Sequence, residues 1–339
     1  MTTQKIRWGI AGLGAIAHRF ATDLVNSSQY GVLGAVAARQ QQRAEDFADQ
    51  YGCEVAYGSY EALASDAEID AVYVATIHPA HVPLVELFLR HGKHVLVEKP
   101  AFICVEQWDA MAELAVNNGV ILAEAMKSVA FPAYQQLCQF LIERQPEVTS
   151  IEAAFGGAHS YDPQLRIFDA TLSGGATLDV GVYGLWLFAD LCRVLGHTVP
   201  FPRTTITQTY PDLAVDQTVE CLFDGAIQGR IGGSITEDLP RYAVIKGPEL
   251  LITIAEKWWN PKRIDIEYQG QTYRLEPEVL GGGFEHEIDH LSTLILLRET
   301  QSPLLCHATS RKVIEIMEQL LKAHGFAHLV TPNPAFLMQ

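Results

Sequence analysis

The chain has 339 residues, 48% of them hydrophobic and 19% charged, which describes a soluble globular protein of about two domains. A formal net charge of -16, with no long basic run, argues against a nucleic-acid partner. The apolar stretches are too short or too interrupted to span a bilayer, no signal-peptide pattern precedes the first strand, and the six scattered cysteines include no CxxC pair; no membrane association and a cytoplasmic protein with reduced thiols are expected.

In chain order, "KIRWGIA" (5–11) reads as a buried strand and 15–26 as a helix. "GVLGAVA" (31–37) is a second strand and 39–51 a polar-faced helix. The alternation continues with a strand at 71–76, a helix near 79–91, a strand at 94–98, a helix near 105–118 and a strand at 120–125. Short apolar strands separated by helices predict βαβ units, a parallel sheet and right-handed crossovers. After about residue 147 the pattern changes to alternating, Thr/Ile/Val-rich strands joined by Gly, Pro and Asp turns, with helical patterns near 175–195, 284–299 and 310–324. This predicts α/β architecture: a dinucleotide-binding domain over 1–127, and an α+β domain over 128–339 built on a large, open, mostly antiparallel sheet. One face of that sheet would be covered by helices and the other, taken as apolar, would pair with a second copy to give a homodimer or higher homo-oligomer.

"GIAGLGAIA" sets Gly12, Gly14 and Ala17 in a GxGxxA pattern after a strand and at the start of a helix. Such a loop, spanning Leu13, Ala15 and Ile16, turns tightly and brings backbone N–H groups to a pyrophosphate at the helix N-terminus. The second strand ends in Ala37, Ala38 and Arg39, with Arg43 one turn on and no acid before Glu45. NAD binders usually offer an acid there for the ribose 2′-OH, whereas a guanidinium suits a 2′-phosphate. NADP is therefore expected over NAD.

Two further stretches carry chemistry. "VLVEKP" ends a buried strand in Glu98 and Lys99, and Pro100 biases Lys99 out of the α region toward the cleft. "LDVGVYGLW" places Asp179 and Tyr183 four residues apart, on one face of a helix. Together with "GLGAIA", "VATIHPAHVPLVELFLRHGKHVLVEKP" and "GGGFEHEIDHL", these segments resemble the glucose–fructose oxidoreductase/inositol dehydrogenase (Gfo/Idh/MocA) family across nearly the whole chain. Within it the chain is similar to the branch of dimeric dihydrodiol dehydrogenases and NADP-dependent D-xylose 1-dehydrogenases. The resemblance implies a dehydrogenase in which Lys99, Tyr183 and Asp179 are catalytic, while Thr76, Ile77, His78, His81 and Glu98 line the cofactor with the glycine loop, Ala38, Arg39 and Arg43. The substrate would be an aldose, cyclic polyol or trans-dihydrodiol. An adjacent Lys99 ammonium and the positive nicotinamide of the oxidised cofactor are expected to lower the Tyr183 pKa.

Two departures bear on the substrate. The family's common asparagine is His78 here, and the aromatic and arginine that follow "EAM" in similar proteins are Lys127 and Val129. A dinucleotide-binding sensor of the same fold is the alternative reading; Glu98, Lys99, Asp179 and Tyr183 argue for chemistry. "HEIDH" is literally HExxH, which would make His286 and His290 zinc ligands and Glu287 a base. Its third ligand, Glu299 or His307, is supported by residue type alone, and no metal is expected.

Overall fold

The computed structural model describes residues 4–331, so the extreme ends of both expected domain spans lie outside the described residues. The first half runs β1 (Ile6–Ala11), α1 (Ala15–Asn26), β2 (Gly31–Ala37), α2 (Gln41–Tyr51), β3 (Ala56–Tyr57), α3 (Tyr60–Ser65), β4 (Ala71–Val74), α4 (His81–Arg90), β5 (His94–Glu98), α5 (Val105–Asn118) and β6 (Leu122–Ala125). All six strands are parallel in the order 3-2-1-4-5-6. Helices cover both faces, which is why β4 and most of β1 and β5 are continuously buried rather than alternating. The two-residue β3 and the six-residue α3 are too short to show a period in the sequence.

Helix α6 (Pro132–Arg144) leads to β7 (Ser150–Gly156) and, after a long excursion, a π-helical turn (Thr177–Gly181) that continues as α7 (Val182–Val194). Strands β8 (Arg203–Thr207), β9 (Thr218–Phe223), β10 (Gln228–Ser234), β11 (Ala243–Gly247), β12 (Leu250–Ile254), β13 (Ile264–Tyr268) and β14 (Gln271–Leu275) precede α8 (Phe284–Leu296) and α9 (His307–Ala323). The sheet order is 14-13-12-11-7-10-9-8, antiparallel except for the β7–β10 pair. Val219, Cys221, Ile231, Ile245 and Ile252 face the helices and are buried. Gly184 and Gly233 let α7 and the π-helical turn approach β10: a Cβ at Gly233 would lie 2.9 Å from the Gly181 Cα.

The opposite face is not the apolar surface expected. It carries the cross-strand pairs Arg230–Glu220 and Lys246–Glu152 at 2.8 Å and Arg274–Asp265 at 2.7 Å. Alternation fixed which residues point outward, but they mix these charged pairs with Ala154, Leu222, Val244 and Leu251, so the face is not uniformly apolar.

The two halves share one core. Trp8 of β1 donates to the Ser292 hydroxyl of α8 at 3.0 Å, and Asp289 accepts from Ser28 Oγ and the N–H groups of Gln29 and Tyr30. Asp23 of α1 accepts from the N–H groups of Gly282 and Phe284. Helix α8 therefore packs against the first sheet although it comes late in the chain.

Candidate active site

The carboxyl ends of β1, β2, β4 and β5 meet in a cleft. Gly12 has φ +89°, and a Cβ there would lie 2.6 Å from the Thr76 methyl, so only glycine permits this turn. Gly14, the N-cap of α1, has nothing within 4 Å of its Cβ direction, and no side chain caps the helix or places an acid in its first turn. Free N–H groups beside an open cradle at a helix N-terminus fit a dinucleotide pyrophosphate. Leu13 is buried, whereas Gly14, Ala15 and Ile16 reach the surface. Ala38 closes the end of β2, Arg39 is exposed beside it, and Arg43 donates to the Leu13 carbonyl at 2.9 Å, holding the loop. Thr76 turns a buried hydroxyl with no partner toward this region, and Ile77 is exposed.

His81 does not offer a group to a ligand. It is 0% exposed, with one ring nitrogen 3.0 Å from the Ala101 carbonyl and the other 3.1 Å from that of Thr76. It ties the β4 exit to the β5 exit. His78 instead lies near Lys99, Arg166 and Asp179: its ring is 3.2 Å from the Ser173 carbonyl, and burial, then His81, Arg166 and Lys99, push its pKa well down, so it is neutral.

Lys99 follows directly on β5. Its ammonium donates to the Asp179 carbonyl at 2.6 Å, lies 3.6 Å from the Asp179 carboxylate and stands 4.8 Å from the centre of the Tyr183 ring. Burial works against this ammonium, but Tyr183, Asp179 and Glu98 outweigh it and hold its pKa above the ordinary lysine value. Asp179 is committed to others: Arg166 donates to its carboxylate at 2.7 Å. Although burial alone would raise it, Lys99 and Arg166 bring the Asp179 pKa down to about 2. Asp179 thus holds Lys99 in place, its carboxylate shared between Lys99 and Arg166. The Tyr183 phenol departs from expectation, because burial exceeds the pull of Lys99 and leaves its pKa above the ordinary tyrosine value.

Glu124 of β6 binds the two motifs together. Fully buried, it accepts from the Ala101 N–H at 3.0 Å and from Trp186 Nε1 of α7 at 2.7 Å. Phe155 stacks on Trp259 at 3.7 Å and meets the Tyr183 ring at 5.4 Å, forming an aromatic wall. Behind Tyr183 the void lined by Val129, Trp186 and Trp258 is about 10 Å³, too small for more than a water, so a ligand must approach from the cleft.

Arg166, Tyr73 and the aromatic wall escape the sequence reading. Arg166 lies in the aperiodic excursion after β7, where spacing carries no signal. Tyr73 looks like one more buried strand residue until its hydroxyl is seen to donate to Glu98.

The HExxH residues diverge. His290 pairs with the Ser302 hydroxyl at 2.8 Å, His286 lies 3.5 Å from Glu285, and Glu287 is enclosed near Glu98. Glu299 is exposed, and His307 pairs with the Leu122 carbonyl at 2.6 Å. Among the described residues, no group of three potential ligands converges. A separate cavity of about 630 Å³ between α6, α7 and α8 contains His286 and His290, but its Arg193 is neutralised by Asp190 at 2.7 Å and it contains neither Lys99 nor Tyr183.

Comparison with known proteins agrees with this geometry. The sequence profile described as "Oxidoreductase family, NAD-binding Rossmann fold" matches residues 6–126. The mouse trans-1,2-dihydrobenzene-1,2-diol dehydrogenase is 34% identical over 333 residues, covering 94% of this chain and 97% of the mouse protein. The chain belongs to the Gfo/Idh/MocA oxidoreductase family. Among solved structures, a 3-ketoreductase from Actinomadura kijaniata with NADP and TDP-benzene superposes with a TM-score of 0.79 at 23% identity, covering 93% of this chain and 96% of that one. An aldose-aldose oxidoreductase from Caulobacter crescentus gives 0.80 at 21%, covering 94% and 97%. These two share the fold. This family member is an NAD(P)-binding dehydrogenase or reductase. No helix among its described residues is long and apolar enough to cross a membrane.

Proposed function

We propose that this family member is an NADP-dependent oxidoreductase acting on a carbinol or carbonyl carbon of an aldose, cyclic polyol or trans-dihydrodiol. The observation that carries the reading is the Lys99 ammonium, held charged by Asp179 and set 4.8 Å from the Tyr183 ring at the strand end where open α/β sheets bind ligands. Arg39, exposed at the end of β2 with no neighbouring acid in sequence, supports NADP.

When bound, the dinucleotide supplies or accepts the hydride. Lys99 donates a hydrogen bond to the substrate oxygen and stabilises negative charge developing there. Tyr183 gives that oxygen a proton in reduction and takes it back in oxidation. Burial keeps the phenol protonated, so the proton needed in reduction is in place, while action as a base in oxidation calls for further positive charge beside it. The wall of Phe155 and Trp259 suits the flat face of a ring bearing vicinal hydroxyls.

Nicotinamide absorbance, followed with a panel of sugars, cyclic polyols and diols and their carbonyl products, tests this directly. Tyr183→Phe and Lys99→Met should each reduce turnover by about 10²–10⁴-fold, with the double variant scarcely worse than either. NADPH affinity should be unchanged in Tyr183→Phe. A parent protein that binds NADPH yet turns over no member of the panel would favour the sensor reading instead.

A further inference from the structure

Glu124 is the exception on β6. Its neighbours Leu122, Ala123 and Ala125 are buried and apolar, as a strand covered on both faces requires, and Glu124 is 0% exposed among them. A carboxylate there is costly, and an apolar side chain would avoid the cost. Neither of its partners is a cation: one oxygen accepts from the backbone N–H of Ala101 and the other from the indole N–H of Trp186. Charge pairing therefore does not account for the acid. What it supplies is geometry, since two rigidly spaced acceptors reach two different elements.

Those elements are the two that carry the chemistry. Ala101 lies two residues beyond Lys99, at the exit of β5, and Trp186 lies three residues beyond Tyr183 on α7. The same exit is tied a second time through its side chain. The Lys99 ammonium donates to the carbonyl of Asp179, four residues before Tyr183, in the π-helical turn that continues as α7. Tyr183 thus sits between two ties that join the β5 exit to one continuous helical segment. The Ala101 carbonyl is held as well, by His81, whose other ring nitrogen meets the Thr76 carbonyl. A line of hydrogen bonds therefore runs from Thr76 through His81, Ala101 and Glu124 to Trp186, crossing from the first half of the chain to the second.

One tie alone would let the strand exit pivot about it. Two ties on either side of Tyr183 fix both the distance and the direction between ammonium and phenol. The small void behind Tyr183, which Trp186 also lines, leaves the ring little room to draw back. We propose that Glu124 is a positioning residue for the reaction, holding the Lys99 ammonium and the Tyr183 hydroxyl on one substrate oxygen by joining the β5 exit to α7. The proposal rests on the lysine–tyrosine chemistry above. Glu124 acts through Ala101 and Trp186 and transfers no proton itself.

Trp186→Phe keeps an aromatic ring in the core and removes the N–H that Glu124 holds. Glu124→Gln keeps the shape but turns an amide N–H toward one of the two donors. With NADPH and a substrate from the panel above, each should lower kcat by about 10- to 100-fold, the scale of a small misplacement of reacting groups. NADPH affinity should be unchanged in Trp186→Phe. In a Tyr183→Phe background, where ammonium and phenol no longer act together, Trp186→Phe should cost nothing further. A merely structural role would instead lower the folded fraction and scale turnover equally in both backgrounds. Parental turnover in Trp186→Phe would overturn the proposal, as would equal fractional losses in the two backgrounds. The Trp186→Phe result decides even if Glu124→Gln fails to fold. Parental turnover in Tyr183→Phe alone would identify the lysine–tyrosine chemistry as the error, and the proposal would fall with it.

Discussion

Replacing Asp179 by asparagine separates the charge of this residue from its backbone. The backbone carbonyl, which accepts from Lys99 at 2.6 Å, survives the substitution; the carboxylate at 3.6 Å from the ammonium and 2.7 Å from Arg166 does not. At an effective dielectric of about 20, an attraction across 3.6 Å amounts to about 5 kcal/mol, so the lysine pKa falls by at most about 3 units. Burial then acts on Lys99 with less opposition, and Arg166, no longer paired, adds repulsion. The parent lysine stays charged throughout any ordinary assay, because its pKa lies above the usual value. In Asp179→Asn it should deprotonate as pH rises through a lowered midpoint, and reductive turnover should decline toward alkaline pH where the parent holds steady. Competitive labelling with acetic anhydride, followed by mass spectrometry of the Lys99 peptide, reads the midpoint without a substrate. The expected downward shift is about 1–3 units, with surface lysines unchanged. An unmoved Lys99 midpoint would mean that the backbone carbonyl and solvent, rather than the carboxylate, keep the ammonium charged.

Arg39→Ala should weaken NADP binding at least tenfold while leaving NAD binding nearly unchanged, as measured by dissociation constants for both; equal losses would show that Arg39 does not contact the 2′-phosphate. Asp216, fully buried, accepts from the Thr177 N–H at 2.7 Å and hydroxyl at 2.6 Å, and burial lifts its pKa from 3.8 to about 6. A raised folded-state pKa favours the protonated form, so this residue should subtract about 3 kcal/mol of stability as pH rises from about 4 to 6. Chemical denaturation of the parent and Asp216→Asn across that range should show the parent losing more stability than the variant by this amount.

The glycine loop was legible because its spacing has one structural consequence, whereas Lys99 and Tyr183 were singled out by the family resemblance; the structure brings their side chains together. The strand–helix order of the first half was legible too, since buried parallel strands are apolar along nearly their whole length. Arg166 was not, because it reaches Asp179 from an excursion with no period. His81 was misread as a cofactor residue because both of its partners are backbone carbonyls, which sequence does not display. The lowering of the Tyr183 pKa was expected from Lys99 and the oxidised nicotinamide, and in the protein alone burial outweighs Lys99. The outer face of the second sheet was expected to be apolar throughout, because alternation gives direction without giving chemistry.

The return of α8 onto β1 and α1 means that the nucleotide-binding half cannot finish forming until residues near 290 have been made. A ribosome-bound chain ending at residue 127 would leave Trp8 without Ser292 and the Asp23 carboxylate without the two amides that bind it. The molecule should therefore fold as one cooperative body after synthesis rather than half by half. The same dependence limits recombination: a chimaera that takes its second half from a relative must keep the native segment from Gly281 to Leu296 with the native first half. Otherwise the junction runs through the core itself.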